Sequence, residues 1–450
     1  MADANTHGRR QRSEDDLLVV DDLRTHFHVP AGAVKAVDGV SFRLRRGTTL
    51  GVVGESGSGK TVLSRSVMGL TTAGNAVTTG SVLYDGLELV GRSPKEMKSL
   101  WGAEMAMVFQ DPMTSLNPVV KIGRQLTEHM RHHLDIGKAE ARAAAVELLK
   151  SVRIPEANER FDNYPHEMSG GMRQRVCIAS ALACSPKLLF ADEPTTALDV
   201  TVQHQILNLL AQLQREHHMT MIMVTHDLGV VATRADEIAV MYAGRIVEKA
   251  PTSTLFSDMK HPYTQSLLWS IPKTSQPKHT RLSAIAGRPP DLINPPPGCK
   301  FAPRCAYAQP VCIEVEPPLQ TDAAGHQYAC HIPVGTPENT AAFESNLAAG
   351  LPQTLTAAGK MSAREDLVPD YSSIVGDAVD HRAVAEGLAH TNIQHSNIQG
   401  DPADGGFGQG THVGQRRCAA ACRRPGHGVP ARRRPGGPRR VGHQLRSPQG

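Results

Sequence analysis

Short apolar runs alternate with longer amphipathic segments through the first 250 residues of the chain. The runs are rich in branched and bulky side chains without polar interruption, which is typical of strands buried on both faces. The predicted strands end at Val53, Phe109, Asp192, Thr225 and Tyr242. Between them, apolar residues recur at helical spacing from Ala141 to Val152 and from Val202 to Leu213. Strands that alternate with helices predict an α/β domain with a largely parallel sheet.

The dipeptide Asp85-Gly86 interrupts an otherwise strand-like segment, GSVLYDGLEL. Asp-Gly favours the tight turn of a β-hairpin because both positions of that turn require positive φ. We therefore expect an antiparallel element attached to the parallel sheet.

The run that ends at Val53 leads into a glycine-rich loop, Gly54-Glu55-Ser56-Gly57-Ser58-Gly59-Lys60-Thr61. It matches the pattern G-x-x-x-x-G-K-[ST], in which glycines let backbone N–H groups turn towards phosphates at the start of a helix. Lys60 would bridge the β- and γ-phosphates, and the Thr61 hydroxyl would bind Mg²⁺. The strand before the loop and the helix after it make a chance glycine turn the weaker interpretation.

A second apolar strand, Leu188-Leu189-Phe190-Ala191, ends in the carboxylates Asp192 and Glu193. One carboxylate at such a place can lie near Mg²⁺ and the other near an attacking water. Taken alone, the pattern is as well explained by an ordinary strand end. Taken with the phosphate loop upstream, it favours a site that hydrolyses a nucleotide.

Further motifs lie in order around these two. Ser169-Gly170-Gly171-Met172-Arg173-Gln174-Arg175 precedes the carboxylate strand and resembles the signature motif of ABC ATPases. Gln110 matches the Q-loop of that family, Ala197-Leu198-Asp199 its D-loop, and His226 its switch histidine. The resemblance spans about residues 17–335. It implies a P-loop NTPase core of the ABC ATPase type with an antiparallel β-subdomain, a helical subdomain and a small Cys-rich C-terminal extension.

The resemblance implies a role for each of these residues. Glu193 would be the general base that polarises the attacking water, and His226 would contact the γ-phosphate. Asp192 would hold Mg²⁺, usually through water. Gln110 would join Thr61 in the metal shell and would sense a membrane partner.

Two such domains would sandwich two ATP molecules head to tail, so that part of each site comes from the opposite subunit. The residues that would supply this part are Ser169, Gly170, Gly171 and Asp199.

Adenine would stack on an aromatic residue near the start of the domain. Phe27 is the best candidate for this stacking, with a core position as the alternative.

Two longer stretches resemble the oligopeptide/dipeptide importer branch of the family, FQDPMTSLNP at residues 109–118 and YPHEMSGGMRQR at residues 164–175. His261-Pro262-Tyr263-Thr264 resembles the start of the branch's C-terminal extension. The branch implies an energy-coupling ATPase, peripheral on the cytoplasmic face of the bacterial inner membrane. The implied cargo is di- or oligopeptides, with nickel, glutathione and haem-related compounds as the other classes. The implied partners are two transmembrane permease subunits, a second and non-identical ATPase, and an extracytoplasmic peptide-binding protein.

The extension contains four clustered cysteines, Cys299, Cys305, Cys312 and Cys330. Four thiolates can close a tetrahedral Zn²⁺ site or hold an iron–sulfur cluster, whereas free thiols would pack as small hydrophobic groups. The spacing lacks the C-x2-C pairs of zinc ribbons. Chains that this one resembles carry a [4Fe–4S] cluster here, so we prefer iron–sulfur, with Zn²⁺ as the alternative. His331 is expected to be a bystander, and Cys177 and Cys184 are expected in the core.

The distribution of charge excludes a chain-wide nucleic-acid surface. The formal net charge is +4, but residues 401–450 contain ten Arg and no Lys against two Asp, so the rest of the chain is acidic overall. The first eighteen residues lack the apolar core of a secretory signal. No stretch approaches the roughly 18–20 apolar residues that cross a bilayer. We therefore expect a chain that neither spans the membrane nor binds nucleic acid.

The composition divides the chain into parts. We expect a disordered N-terminus (1–16), an ABC ATPase domain (17–255, its helical subdomain at about 111–180), the extension (256–335), a linker (336–400) and an Arg/Gly/Pro-rich disordered tail (401–450). Such a tail could be an arginine-rich arm for nucleic acid or anionic lipid, but GC-rich codons read out of frame produce the same composition. Our hypothesis is therefore a frameshifted remnant of a fused second ATPase, or a segment that is simply disordered. A soluble ABC ATPase of DNA repair or translation is the rival function. The sequence between the phosphate loop and the signature motif shows no long coiled coil of the kind that repair proteins insert there. Translation-type proteins usually carry two ATPase domains, and the motifs here define only one.

Overall fold

The computed structural model describes residues 13–71, 73–196, 198–271, 285 and 287–349. Its strands are β1 Asp16–Val29, β2 Gly32–Arg45, β3 Thr49–Val53, β4 Ala76–Tyr84, β5 Leu87–Glu88, β6 Met105–Val108, β7 Leu188–Asp192, β8 Thr220–Thr225, β9 Glu237–Tyr242, β10 Arg245–Pro251, β11 Gln320–Thr321 and β12 Gln327–Tyr328. Its helices are α1 Lys60–Val67, α2 Pro94–Met97, α3 Pro112–Ser115, α4 Ile122–His133, α5 Lys138–Ser151, α6 Ala157–Arg160, α7 Gly170–Leu182, α8 Val200–Glu216, α9 Leu228–Ala232, α10 Thr252–Ser257, α11 Pro262–Trp269, α12 Pro310–Glu314 and α13 Pro337–Ala348.

The main sheet has the strand order β11-β12-β10-β9-β3-β8-β7-β6 among the described residues. β9, β3, β8, β7 and β6 run parallel, and β10, β12 and β11 continue the sheet in antiparallel pairs. Because the carboxyl ends of parallel strands meet at one edge, β3, β7 and β8 deliver their loops to the same side of the domain. The predicted α/β core with a largely parallel sheet is confirmed.

Two hydrophobic cores lie on opposite faces of the main sheet. Successive side chains of a strand alternate between its faces. In β7, Leu188 and Phe190 pack with the core that includes β1, β2 and β4, whereas Leu189 and Ala191 pack with the core that includes α4, α5, α7 and α8. This burial on both faces explains why the strands have continuous apolar sequences.

A separate four-stranded sheet with the order β2-β1-β4-β5 forms the antiparallel β-subdomain among the described residues. β4 and β5 are joined by Asp85 and Gly86, both at positive φ, as the hairpin prediction requires. The expected antiparallel element is therefore present. It comprises longer strands than the hairpin alone suggested, because β1 and β2 pair along almost their whole length.

The extension packs on the far side of β10. The short strand β12 pairs with β10 and brings the cysteine-rich segment beside the main sheet. The sequence predicted a linker from residue 336, but the structure contains α13 over Pro337–Ala348. This helix is held by Asn346, whose side-chain amide donates to the carbonyls of Ala306 and Ala308. The rest of the predicted linker, the tail and residues 1–12 lie outside the described residues.

Candidate ATP site and cysteine site

The phosphate loop connects β3 to α1 and requires glycine at a critical position. Gly59 has a φ of 103°, and a Cβ atom there would lie 2.1 Å from the Ala36 carbonyl oxygen. Only glycine allows this close approach of two backbone segments. The loop therefore ends at the N-terminus of α1, where free N–H groups and the helix dipole favour a phosphate.

The buried Lys60 side chain folds back over this loop. Its Nζ donates to the carbonyl oxygens of Gly54 at 2.7 Å and Glu55 at 2.9 Å. Burial lowers the pKa of Lys60, and the carboxylates of Glu193, Asp192 and Glu55 oppose that shift. A cation held between carbonyls inside an anion-binding loop is suited to receive phosphate oxygens.

Asp192 and Thr61 bring the end of β7 to the start of α1. The Thr61 hydroxyl donates to Asp192 Oδ1 at 3.0 Å. The Asp192 carboxyl is almost fully buried, and burial raises its pKa. The two oxygen groups that the sequence places near Mg²⁺ are therefore within hydrogen-bonding distance of each other, and their binding of the cation stays a prediction.

Glu193 lies at the centre of a second group of polar side chains. Its Oε2 accepts hydrogen bonds from Gln110 Nε2 at 2.8 Å and from Thr196 Oγ1 at 3.0 Å, and its Oε1 lies 3.3 Å from His226 Nδ1. Glu193 has a φ of 44°, a strained conformation that such contacts help to hold. The structure therefore brings together three residues that the sequence singled out separately. Thr196 was missed, because a threonine after Glu193-Pro194 has no distinguishing pattern.

The signature motif and the D-loop form a separate pair of helix N-termini. Ser169 caps α7 by accepting from the Met172 N–H, and Asp199 caps α8 by accepting from the Val202 N–H. A Cβ on Gly171 would lie 3.0 Å from Val202, and one on Gly170 would lie 3.8 Å from Leu198. The motifs therefore pack against each other. Ala197 of the D-loop lies outside the described residues.

Phe27 lies in β1, opposite Val34 of β2 and Ala76 of β4. Its side chain is half-buried. Its proposed stacking on adenine stays a prediction.

The four clustered cysteines line one cavity in the extension, together with Phe301 and Tyr307. All four are free thiols. Burial raises the pKa of Cys299 to about 11 and that of Cys330 to about 12, and raises that of Cys305 well above its usual value. Across the described part of the chain, no three His, Cys, Asp or Glu side chains are placed to surround a single metal ion.

His331, Cys177 and Cys184 lie outside this cluster, and each has a structural environment of its own. His331 Nε2 donates to the Val315 carbonyl at 2.9 Å. Cys177 and Cys184 are buried in the core, as expected from the sequence. Burial raises the pKa of Cys177 to about 12, so this thiol is protonated at neutral pH.

The described helices include none that is both long and apolar enough to span a bilayer.

The fold, the phosphate loop and the Glu193 cluster together define an ATPase of the ABC class. The family model for the ABC transporter matches residues 37–196, and the model for the C-terminal region of oligopeptide/dipeptide transporters matches residues 247–312.

Three characterised relatives are close in sequence. The oligopeptide transport ATP-binding protein OppD of Bacillus subtilis is 52% identical over 304 residues, which is 67% of this chain and 85% of the relative. OppD of Escherichia coli is 48% identical over 324 residues, 72% of this chain and 95% of the relative. The dipeptide transport ATP-binding protein DppD of E. coli is 46% identical over 318 residues, 71% of this chain and 97% of the relative. The chain belongs to this family of ABC transporter ATP-binding subunits.

Proposed function

We propose that this ATPase supplies the energy for a bacterial peptide importer from the cytoplasmic face of the inner membrane. The match to the oligopeptide/dipeptide C-terminal region and the names of the relatives support peptide cargo. The proposal that this site hydrolyses ATP rests on one observation. Glu193 contacts both Gln110 and His226, and its neighbour in sequence, Asp192, accepts a hydrogen bond from Thr61.

Lys60 and the loop backbone would hold the β- and γ-phosphates of ATP. The two carbonyls that Lys60 now contacts are weaker acceptors than phosphate oxygens, so the ammonium would exchange them for the nucleotide. Since burial lowers the pKa of Lys60, the negative charge of ATP would also stabilise its protonated form. ATP binding and the protonation of Lys60 therefore favour each other.

The ligands beside Lys60 fit Mg²⁺. The Thr61 hydroxyl, the Asp192 carboxylate and the Gln110 amide oxygen are the hard oxygen ligands that this cation prefers, and Thr61 already hydrogen-bonds to Asp192. When bound, Mg²⁺ would neutralise charge on the β- and γ-phosphate oxygens. Asp192, whose pKa is raised by burial, would stay ionised beside such a cation.

Glu193 would act as the general base for the attacking water. Its Oε2 accepts from Gln110 and Thr196, which fixes the orientation of the carboxylate. Its Oε1 would then receive the water proton, with His226 beside it to contact the γ-phosphate. A base fixed in this way needs no rearrangement at the moment of proton transfer.

Membrane partners would bind beside the Gln110 segment. Phe109, Met113 and Val119 are apolar yet 40%, 59% and 78% exposed, which suits contact with a permease subunit. Gln110, in the same segment, would transmit that contact to Glu193.

A second ATPase would bring its nucleotide to the N-termini of α7 and α8. These are capped by Ser169 and Asp199, and helix N-termini favour phosphate. A binding protein would deliver peptide from the other side of the membrane.

We also propose that the cysteine site holds a [4Fe–4S] cluster. Backbone N–H groups of Phe301, Tyr307 and Ile332 point to the sulfur atoms of Cys299, Cys305 and Cys330, an arrangement that tunes metal-bound thiolates. A single Zn²⁺ needs every thiolate within about 2.3 Å of one centre. A four-iron cluster instead takes each thiolate on a separate iron, and all four thiols line the same cavity.

Strictly anaerobic purification tests the cluster proposal. We expect brown protein with iron and acid-labile sulfide, lost in Cys305→Ser and kept in the core control Cys177→Ser. Zinc in place of iron would support the tetrahedral alternative, and colourless, metal-free protein would refute both metals.

Isolation from native membranes tests the importer proposal. We expect the tagged chain to bring with it two permease subunits, a second ATPase and a peptide-binding protein, identified by mass spectrometry. Ribosomal or DNA-repair proteins in their place would overturn the transport function.

A further inference from the structure

The cysteine site is linked to the phosphate loop by Arg304, the residue before Cys305. Its side chain is only 4% exposed and reaches the ATPase domain. The guanidinium donates to both carboxylate oxygens of Glu55, from Nη1 at 2.6 Å and from Nη2 at 2.9 Å. Glu55 is the second residue of the phosphate loop. A bidentate pair of this kind fixes geometry as well as charge.

The backbone of Glu55 is held by the extension as well. The Glu55 N–H donates to the Tyr263 hydroxyl oxygen at 2.8 Å. Tyr263 is fully buried, and its ring lies 4.6 Å from Tyr242 and 5.4 Å from Phe301. Side chain and main chain of one loop residue are therefore both fixed by the region that carries the cysteines.

The charge of Glu55 bears directly on the nucleotide site. Its carboxylate is among the groups that favour the charged form of Lys60, and Lys60 donates to the Glu55 carbonyl. A carboxylate beside the loop would repel an arriving triphosphate unless a cation neutralised it. Arg304 provides that cation.

The segment from Cys299 to Cys305 is a tight turn held by consecutive backbone hydrogen bonds. The N–H of Ala302 donates to the Cys299 carbonyl, that of Arg304 to Phe301, and that of Cys305 to Ala302. A change in the position of either thiol would therefore shift the turn that carries Arg304.

We propose that Arg304 and Tyr263 are positioning residues that couple the cysteine site to the phosphate loop. Through them, a change in the position of the thiols changes the affinity for ATP. The part of this inference that concerns a metal cluster rests on the proposed function, whereas the coupling itself does not. Because coupling is reciprocal, ATP must change the properties of the thiol site by the same linkage.

The first test compares ATP affinities by titration with a fluorescent ATP analogue. Arg304→Met is expected to bind about tenfold more weakly, within the 5- to 150-fold range usual for coupled sites. Glu316→Gln is the matched control, because it removes a different ion pair between the extension and the core, that with Arg245 at 2.9 Å. Its ATP affinity should stay at the wild-type value. If Arg304→Met lowers the melting temperature but binds ATP like wild type, the residue only anchors the extension and the proposal is wrong.

The second test is decided on the wild-type chain, so its main result does not depend on how a variant folds. In metal-free protein, saturating ATP is expected to slow maleimide labelling of the four cysteines about fivefold, measured by mass spectrometry. The effect should vanish in Glu55→Gln. Labelling that ignores ATP in the wild type would overturn the coupling.

In protein that contains iron, the same comparison is made on iron release to a chelator with and without ATP. We expect ATP to slow the release, and release that ignores ATP would count against the coupling. Absence of iron would count against the cluster alone, since the labelling result still decides the coupling.

Discussion

Replacement of Glu193 by Gln separates ATP binding from hydrolysis. The variant keeps the shape of the side chain, and its amide oxygen can still accept from Gln110 and Thr196, so the network around Oε2 survives. What it loses is the negative charge and the ability to take a proton. A general base contributes about 10²- to 10⁴-fold in rate, which corresponds to about 3–5 kcal/mol of activation free energy. We expect a loss of this size in hydrolysis, with ATP affinity within about threefold of wild type because Lys60 and the loop are untouched.

The assay is single-turnover phosphate release with saturating enzyme, accompanied by an ATP titration of the same preparation. Glu147→Gln provides a matched control, because it makes the same chemical change at a 70% exposed residue whose ion pair with Lys150 contributes little. The control should hydrolyse ATP like wild type. Phosphate release by Glu193→Gln within tenfold of wild type would refute the role of Glu193 as base.

Three further predictions follow from the packing. Gly59→Ala should abolish ATP binding, whereas Gly57→Ala, with open space around its Cβ, should cost only about 1–2 kcal/mol of folding free energy, as measured by urea unfolding. Full burial lowers the pKa of His261 to about 3, so the free energy of unfolding should fall by about 1.4 kcal/mol from pH 7.5 to 5.5, as the unfolded state takes up a proton. A chain cut after residue 349 should keep wild-type ATP affinity and stability, whereas one cut after residue 339 should lose stability in calorimetry.

Each of these predictions has an outcome that contradicts it. Normal ATP binding by Gly59→Ala would show that the loop does not pack against Ala36. The fall in unfolding free energy with pH should disappear in His261→Asn, whose amide oxygen can still accept from the Tyr263 N–H. An equal fall in both proteins would show that a group other than His261 takes up the proton. Equal stability of the two truncated chains would mean that α13 contributes nothing to the extension.

The sequence was most informative where burial is two-sided. β3, β7 and β8 appear as continuous apolar runs because both of their faces are covered, and the Asp85-Gly86 hairpin follows from turn chemistry alone. The residues of the ATP site lie in motifs, so the sequence alone predicts Gln110, Glu193 and His226 as site residues.

Other features depend on contacts that no local pattern contains. The helix α13 has little amphipathic character and is stabilised by bonds from Asn346 to carbonyls 38 and 40 residues away. The pairing of Arg304 with Glu55 joins residues 249 positions apart, and neither belongs to a pattern that predicts the other. The clustering of cysteines indicated a shared site, but the choice between one ion and a cluster depends on the cavity that the folded chain forms.

Peptide uptake by whole cells tests the central claim most directly. Cells that lack this chain would be supplied with the wild type or with Glu193→Gln, and the import of labelled di- and tripeptides measured at equal expression and equal recovery of permease subunits. The account predicts that wild type restores uptake and that the variant does not, although it binds the same partners. Uptake that is unchanged by loss of the chain, or restored equally by the variant, would contradict an ATPase that drives peptide import.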